Sequence, residues 1–197
     1  EEIRAILGSI DRSTVQGSRD FAILMLASSL GIRASDICEM TLEAINFDKN
    51  ELSFIQKKTS VPLTLPLLPD VKEALLGYLG YRKIDSTDEP IFIQCRAPYH
   101  KLTRMGIWTI MRRYVKQSGV DPGHRKRGTH ALRSSLASSM VREQVPYYAV
   151  QKILGHESPQ STKNYVRIDI GRLREFTLPV PEAYGRFDAF LKGGETR

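Results

Sequence analysis

The chain has 197 residues, 41% hydrophobic and 26% charged, with 29 Lys and Arg against 22 Asp and Glu for a net charge of +7. That composition suits an ordinary folded chain able to bury a sizeable core, and it excludes disorder, collagen-like repeats and disulfide-dense scaffolds. The longest apolar stretch, 21–30, contains Ser28 and Ser29 and falls short of the ~20 residues that span a bilayer, while Cys38 and Cys95 form no CxxC pair; no membrane partner, metal site or cofactor is expected, and a reducing cytoplasm is the default location.

In chain order, 1–10 and 17–30 carry apolar residues at helical spacing: Ile3, Ile6 and Leu7 in the first, Phe21, Leu24 and Met25 in the second. The opening Glu1-Glu2-Ile3-Arg4 has neither an initiator Met nor a basic leader, so the chain is expected to be a piece of a longer parent. Gly31 closes the second helix, and Ser35 is the expected cap of a short helix through Asp36 to residue 40, which leaves Arg33 on the turn between the two. Short runs at 44–47, 52–56 and 61–67, punctuated by Asp48-Lys49-Asn50 and Thr59-Ser60, predict a small antiparallel sheet. Pro62 and Pro66 lack N–H donors and assign the third strand to an edge.

A helix is predicted over 70–82 with Asp70 as its cap, then a loop over 84–90, a short extended piece over 91–93, and a helix over 103–118. A basic loop over 119–128 leads to a helix capped by Thr129 that runs to about residue 144. Pro146 opens another helix, ending near Leu154-Gly155. Ser161 starts a short helix holding Tyr165. After Pro179 and Pro181, a last helix over 182–192 aligns Tyr184, Phe187, Phe190 and Leu191 on one face. The expected class is α+β, mainly α-helical, with a small three-stranded antiparallel sheet; the expected organisation is one domain over 1–178 and a tail helix over 179–197.

The charge is concentrated between Arg96 and Arg133, where ten Lys and Arg meet one acid, Asp121. That stretch is +9 and the remainder −2. With Tyr99, Trp108 and Tyr114 among the cations, it suits a polyanion presenting phosphates along one track, and Arg96, Lys101, Arg104, Arg112, Arg113, Arg125, Lys126 and Arg127 are the expected nucleic-acid contacts. The competing reading is a solvated basic face.

Single residues decide little. His130 and Arg133, three apart on a predicted helix, share a face; such a pair is more often surface ornament, His156 in a turn is as well explained by plain hydrogen bonding, and none of eight tyrosines stands out by composition. Their order changes the reading. Gly31-Ile32-Arg33-Ala34-Ser35-Asp36, Gln56-Lys57-Lys58-Thr59, Thr129-His130-Ala131-Leu132-Arg133, Leu154-Gly155-His156 and Tyr165, nine residues after that His, follow one another along the chain. This series resembles the catalytic domain of the tyrosine recombinase (phage integrase) family, over essentially the full chain.

The resemblance implies that Arg33 and Arg133 clamp the scissile phosphate in place of metal ions, Lys58 is the hairpin lysine with Lys57 as runner-up, His130 and His156 complete the polar set, and Tyr165 is the nucleophile. Asp36 takes the acidic position that orients a neighbour, either Arg33 or His130. Two departures stand out: Ser134 occupies a position where many relatives carry a second His, and the usual N-terminal DNA-clamping domain is expected in the longer parent chain, not within these residues. A phenol with a pKa near 10 needs a base at neutral pH, for which His130 is suited, and a departing 5′ oxygen needs an acid, for which Lys58 is suited. The product is a 3′-phosphotyrosine that a hydroxyl of another strand reverses, so site-specific recombination of double-stranded DNA follows without ATP. A tetramer assembled on DNA from free monomers is expected, with the aromatic tail docking on a neighbour when on DNA and docking in cis or disordered in the free protein. The rivals are a non-catalytic DNA-binding module, which an intact reactive set disfavours, and type IB topoisomerase-like relaxation, which the spacing from Leu154-Gly155-His156 to Tyr165 disfavours.

Overall fold

The computed structural model describes residues 1–82, 89–123 and 128–155, all within a compact unit spanning Glu1–Tyr165. The expected helix holding Tyr165, the tail helix, and the positions of Arg125, Lys126, Arg127 and His156 lie outside the described residues. Seven α-helices and one sheet are described: α1 Glu2–Gly8, α2 Val15–Ser29, α3 Ala34–Glu39, β1 Ile45–Asn46, β2 Glu51–Ile55, β3 Pro62–Pro66, α4 Pro69–Leu79, α5 Arg104–Gln117, α6 Thr129–Arg142 and α7 Tyr147–Leu154.

Helix α2 is the axis of the core. Thr14 caps it by accepting the Gly17 N–H, and Ala22 through Ala27 are all buried, the pattern of a helix covered on several sides rather than lying on a surface. It packs against α4, α6, α5 and α1. Fully burying a side chain such as Ile23 or Leu26 contributes ~1.5–3 kcal/mol, which makes α2 the main support for the turn at its end. A smaller apolar cluster, Ala137, Val150 and Leu154 with Leu136 and Met140 against it, joins α6 to α7.

The sheet has the order β1-β2-β3, antiparallel throughout, with β3 on the edge as its two prolines require. Leu52 pairs with Leu65 and Phe54 with Leu63, while Ser53 and Thr64 hydrogen bond across the strands at 3.0 Å on the outer face. Near residue 44, where a strand is expected, Leu42–Ala44 form a 3-10 turn, and β1 begins only at Ile45.

Three expected caps move. Ser35, Asp70 and Thr129 all lie inside the first turns of their helices, and the capping positions are Arg33, Leu68 and Gly128. At α4 the cause is Pro69, whose fixed φ suits the first helical position and places the cap two residues earlier, at Leu68. Ser35 Oγ instead lies 3.3 Å from Asp36 Oδ1. Among the described residues no helix is long and apolar enough to cross a membrane.

Candidate active site

The site forms where three chain turns meet: the end of α2, the β2–β3 hairpin and the end of α7. Gly31 leaves α2 with φ +65°, a conformation that disfavours any side chain, and an added Cβ would sit 2.8 Å from Leu154 Cδ2. The tight turn delivers Arg33 to the start of α3 and leaves the Gly31 carbonyl facing α6. Arg133, 4% exposed on α6, donates Nη1 to that carbonyl and Nη2 to the carbonyl of Leu154. Arg33 Nη2 donates to the next carbonyl, Gly155, at 3.3 Å. Two arginines a hundred residues apart in sequence thus converge on the last turn of α7. The unpaired carbonyls of that helix end carry the negative pole of its dipole, which favours both cations.

Arg33 keeps a second, unspent donor. Among the described residues its buried Nη1 has no hydrogen-bond partner and lies 4.0 Å from Asp36 Oδ2, which also has none. Asp36 is 4% exposed, and its other oxygen accepts the Lys57 backbone N–H at 2.9 Å. Asp36 therefore joins the Arg33 turn to the hairpin. His130 is exposed in the first turn of α6, three residues ahead of buried Arg133.

The two hairpin lysines are not equivalent. Lys57 Nζ is 2.5 Å from Glu39 Oε1, and the other oxygen of Glu39 takes Lys101 Nζ at 2.6 Å. Hydrogen bonds from Lys101 and then Lys57 hold the Glu39 carboxyl below the usual range. Lys58 is exposed and makes no ion pair among the described residues. It lines a cleft of about 450 Å³ together with Ser35, Glu39, Lys57, Lys101 and Arg104.

Of the expected nucleic-acid contacts, Arg96, Arg104 and Arg112 are exposed, and Arg112 stacks on Trp108 at 4.9 Å. Lys101 and Arg113 hold ion pairs inside the chain, Arg113 reaching Asp20 Oδ2 at 3.3 Å. Asp20 is fully buried, bonded by Arg19 at 2.6 Å and by the Tyr114 hydroxyl at 3.1 Å. Burial raises its carboxyl above the usual range despite Arg19, and burial together with the Asp20 charge pushes Tyr114 up to about 12.

Sequence reasoning assigned no role to Glu39 or Gln56. Gln56 is 1% exposed and follows Leu52 and Phe54 on the inward side of the hairpin strand. A polar residue at an inward, period-two position is the signal that could have found it.

A model of the phage integrase family matches residues 1–172. The chain belongs to that family. As such it is 34% identical over 182 residues to the putative integrase/recombinase y4gC of Sinorhizobium fredii, covering 92% of this chain and 93% of that relative. It is 29% identical over 180 residues to the tyrosine recombinase XerA of Pyrococcus furiosus, covering 89% of this chain and 58% of the relative. Its fold is that of the Tn1549 transposon integrase solved in complex with circular intermediate DNA, with a TM-score of 0.67 and 20% identity over 86% of this chain and 64% of the other. This family member therefore spans nearly all of one relative and about three fifths of another.

Proposed function

We propose that this chain is the catalytic domain of a site-specific DNA recombinase, which cuts and rejoins double-stranded DNA through a covalent 3′-phosphotyrosine at Tyr165. The observation that carries this reading is the convergence of Arg33 and Arg133 on the Leu154-Gly155 turn, immediately before His156. Arg133 is fixed by two carbonyls, whereas Arg33 holds a buried donor that faces Asp36 at 4.0 Å and has no hydrogen-bond acceptor among the described residues. Such a donor suits an oxygen of a phosphodiester, whose equatorial charge grows during attack. Relatives and neighbours named as integrases and tyrosine recombinases, one solved on DNA, support the same reading.

In the proposed reaction the Tyr165 oxygen attacks phosphorus, its proton passes to His130, the bond to the 5′ oxygen breaks, and Lys58 protonates that oxygen. The ester is reversed by a hydroxyl of another strand. Arg33, Arg133 and His156 hold the non-bridging oxygens. Exposed Arg96, Arg104 and Arg112 contact backbone phosphates, joined by Arg125, Lys126 and Arg127. On DNA the domain assembles as a tetramer, with residues 179–197 docking on a neighbouring copy.

The test is incubation with nicked DNA sites from which the cut end diffuses away, read on denaturing gels. Wild type forms a protein–DNA adduct and Tyr165→Phe forms none while binding the same DNA. An adduct with the phenylalanine variant removes Tyr165 from its role; no adduct with wild type overturns the catalytic reading.

A further inference from the structure

The lysine hairpin is held beside the arginine pair through Asp36 and, at the Leu154 carbonyl, through Gln56. Gln56 Nε2 donates to the Leu154 carbonyl at 3.4 Å, the same oxygen that accepts Arg133 Nη2. Its Oε1 accepts the Thr59 hydroxyl at 2.8 Å, across the turn that carries Lys58. Its main chain closes the same hairpin, with Gln56 N–H donating to Val61 at 2.9 Å and Ser60 N–H donating to Gln56 at 2.8 Å. The carboxamide packs on Gly155, where an added Cβ would stand 2.3 Å from Nε2, so any side chain at 155 would collide with the buried amide. The next residue, Lys57, donates its N–H to Asp36, which faces Arg33.

We infer that Gln56 is a positioning residue for Lys58: it locks the hairpin in register with the Leu154-Gly155 turn, so that proton delivery to the leaving oxygen depends on it. This rests on the recombinase reading above. A side-chain amide is the group that can do this, because it offers a donor to a carbonyl and an acceptor to a hydroxyl at once. A leucine removes both bonds, so the Thr59 hydroxyl loses its Gln56 acceptor and the Leu154 carbonyl is left to Arg133. A glutamate keeps the acceptor for Thr59 but turns a carboxylate oxygen toward the Leu154 carbonyl.

The experiment measures single-turnover cleavage by the full chain carrying Gln56→Leu or Gln56→Glu, on nicked DNA with either a normal 5′ oxygen or a sulfur in its place. A thiolate leaves without a proton, so sulfur bypasses the general acid. Gln56→Leu is expected to cleave the oxygen substrate about ten- to a hundredfold more slowly, part of the factor a general acid supplies. On the sulfur substrate it is expected to match wild type, with DNA affinity unchanged on both. Gln56→Glu, close in shape and so likewise able to pack, is expected to show the same defect on oxygen, shrinking relative to wild type as pH falls and the carboxyl regains a proton to donate. Equal losses on both substrates, or wild-type rates on oxygen by either folded variant, overturn the proposal. If wild type itself cleaves neither substrate, the recombinase reading fails instead, which separates the two.

Discussion

Arg33 and Arg133 look interchangeable in the sequence, and the structure separates them. Arg33 makes one 3.3 Å hydrogen bond and a 4.0 Å ion pair with Asp36 and has a partly exposed side chain, so Arg33→Ala is expected to lower cleavage by about a hundred- to thousandfold with a smaller stability loss than Arg133→Ala. Arg133→Ala strips a charged donor from two buried carbonyls, so the same loss of cleavage is accompanied by a stability loss of about 2–4 kcal/mol in denaturant unfolding. Equal melting for both variants contradicts this division. Lys57 and Lys58 divide in the same way: Lys58→Ala is expected to be rescued by a 5′-sulfur leaving group, whereas Lys57→Ala, which frees an ion pair with Glu39, is expected to lose little. The Glu39 clamp also predicts a pH signature. Its folded pKa lies below its unfolded one, so its contribution is fully present above the ordinary glutamate pKa and is lost as pH falls through the folded value. Glu39→Gln should therefore flatten the acid limb of the stability profile, by no more than about 1 kcal/mol for so exposed a pair.

At the scale of elements, the helices and the edge position of β3 were legible because periodicity and proline chemistry act locally. The caps were less so. Ser35, Asp70 and Thr129 have the right side chains, yet Pro69 and the anchoring of Arg33 at Gly155 set the chain path, and tertiary contacts outweigh a preference worth about 1 kcal/mol. Asp20 was invisible for a related reason. It lies in a helix recognised by Phe21, Leu24 and Met25, and nothing nearby in sequence reveals that Tyr114 and Arg113 of α5 close over it. That brace ties α2 to α5, and Arg19 extends it to the Ile93 carbonyl at 2.8 Å. Asp20→Ala leaves Arg19 buried without its carboxylate and is expected to cost about 3–5 kcal/mol, measured by denaturant unfolding; a cost under 1 kcal/mol contradicts a structural role for the brace.

Across the whole molecule, the order of short motifs along the chain carried the family, while the way Arg33, Arg133 and the lysine hairpin are held was not legible. Gln56 and Gly155 are distant in sequence and meet only after α6 and α7 pack, and the +9 segment gave no sign that Lys101 and Arg113 serve internal carboxylates. DNA binding should still show log affinity falling linearly with log salt, but Lys101→Ala should change that slope less than Arg112→Ala, whose guanidinium has no acid partner among the described residues. The central claim is that Arg33, Arg133 and the lysine hairpin serve one covalent step at Tyr165. Its most direct test is to trap the adduct on a nicked site, digest the protein and identify the DNA-linked peptide by mass spectrometry. The account predicts a single linkage, through the Tyr165 oxygen to a 3′ phosphate; linkage at any other residue, or to a 5′ phosphate, contradicts it.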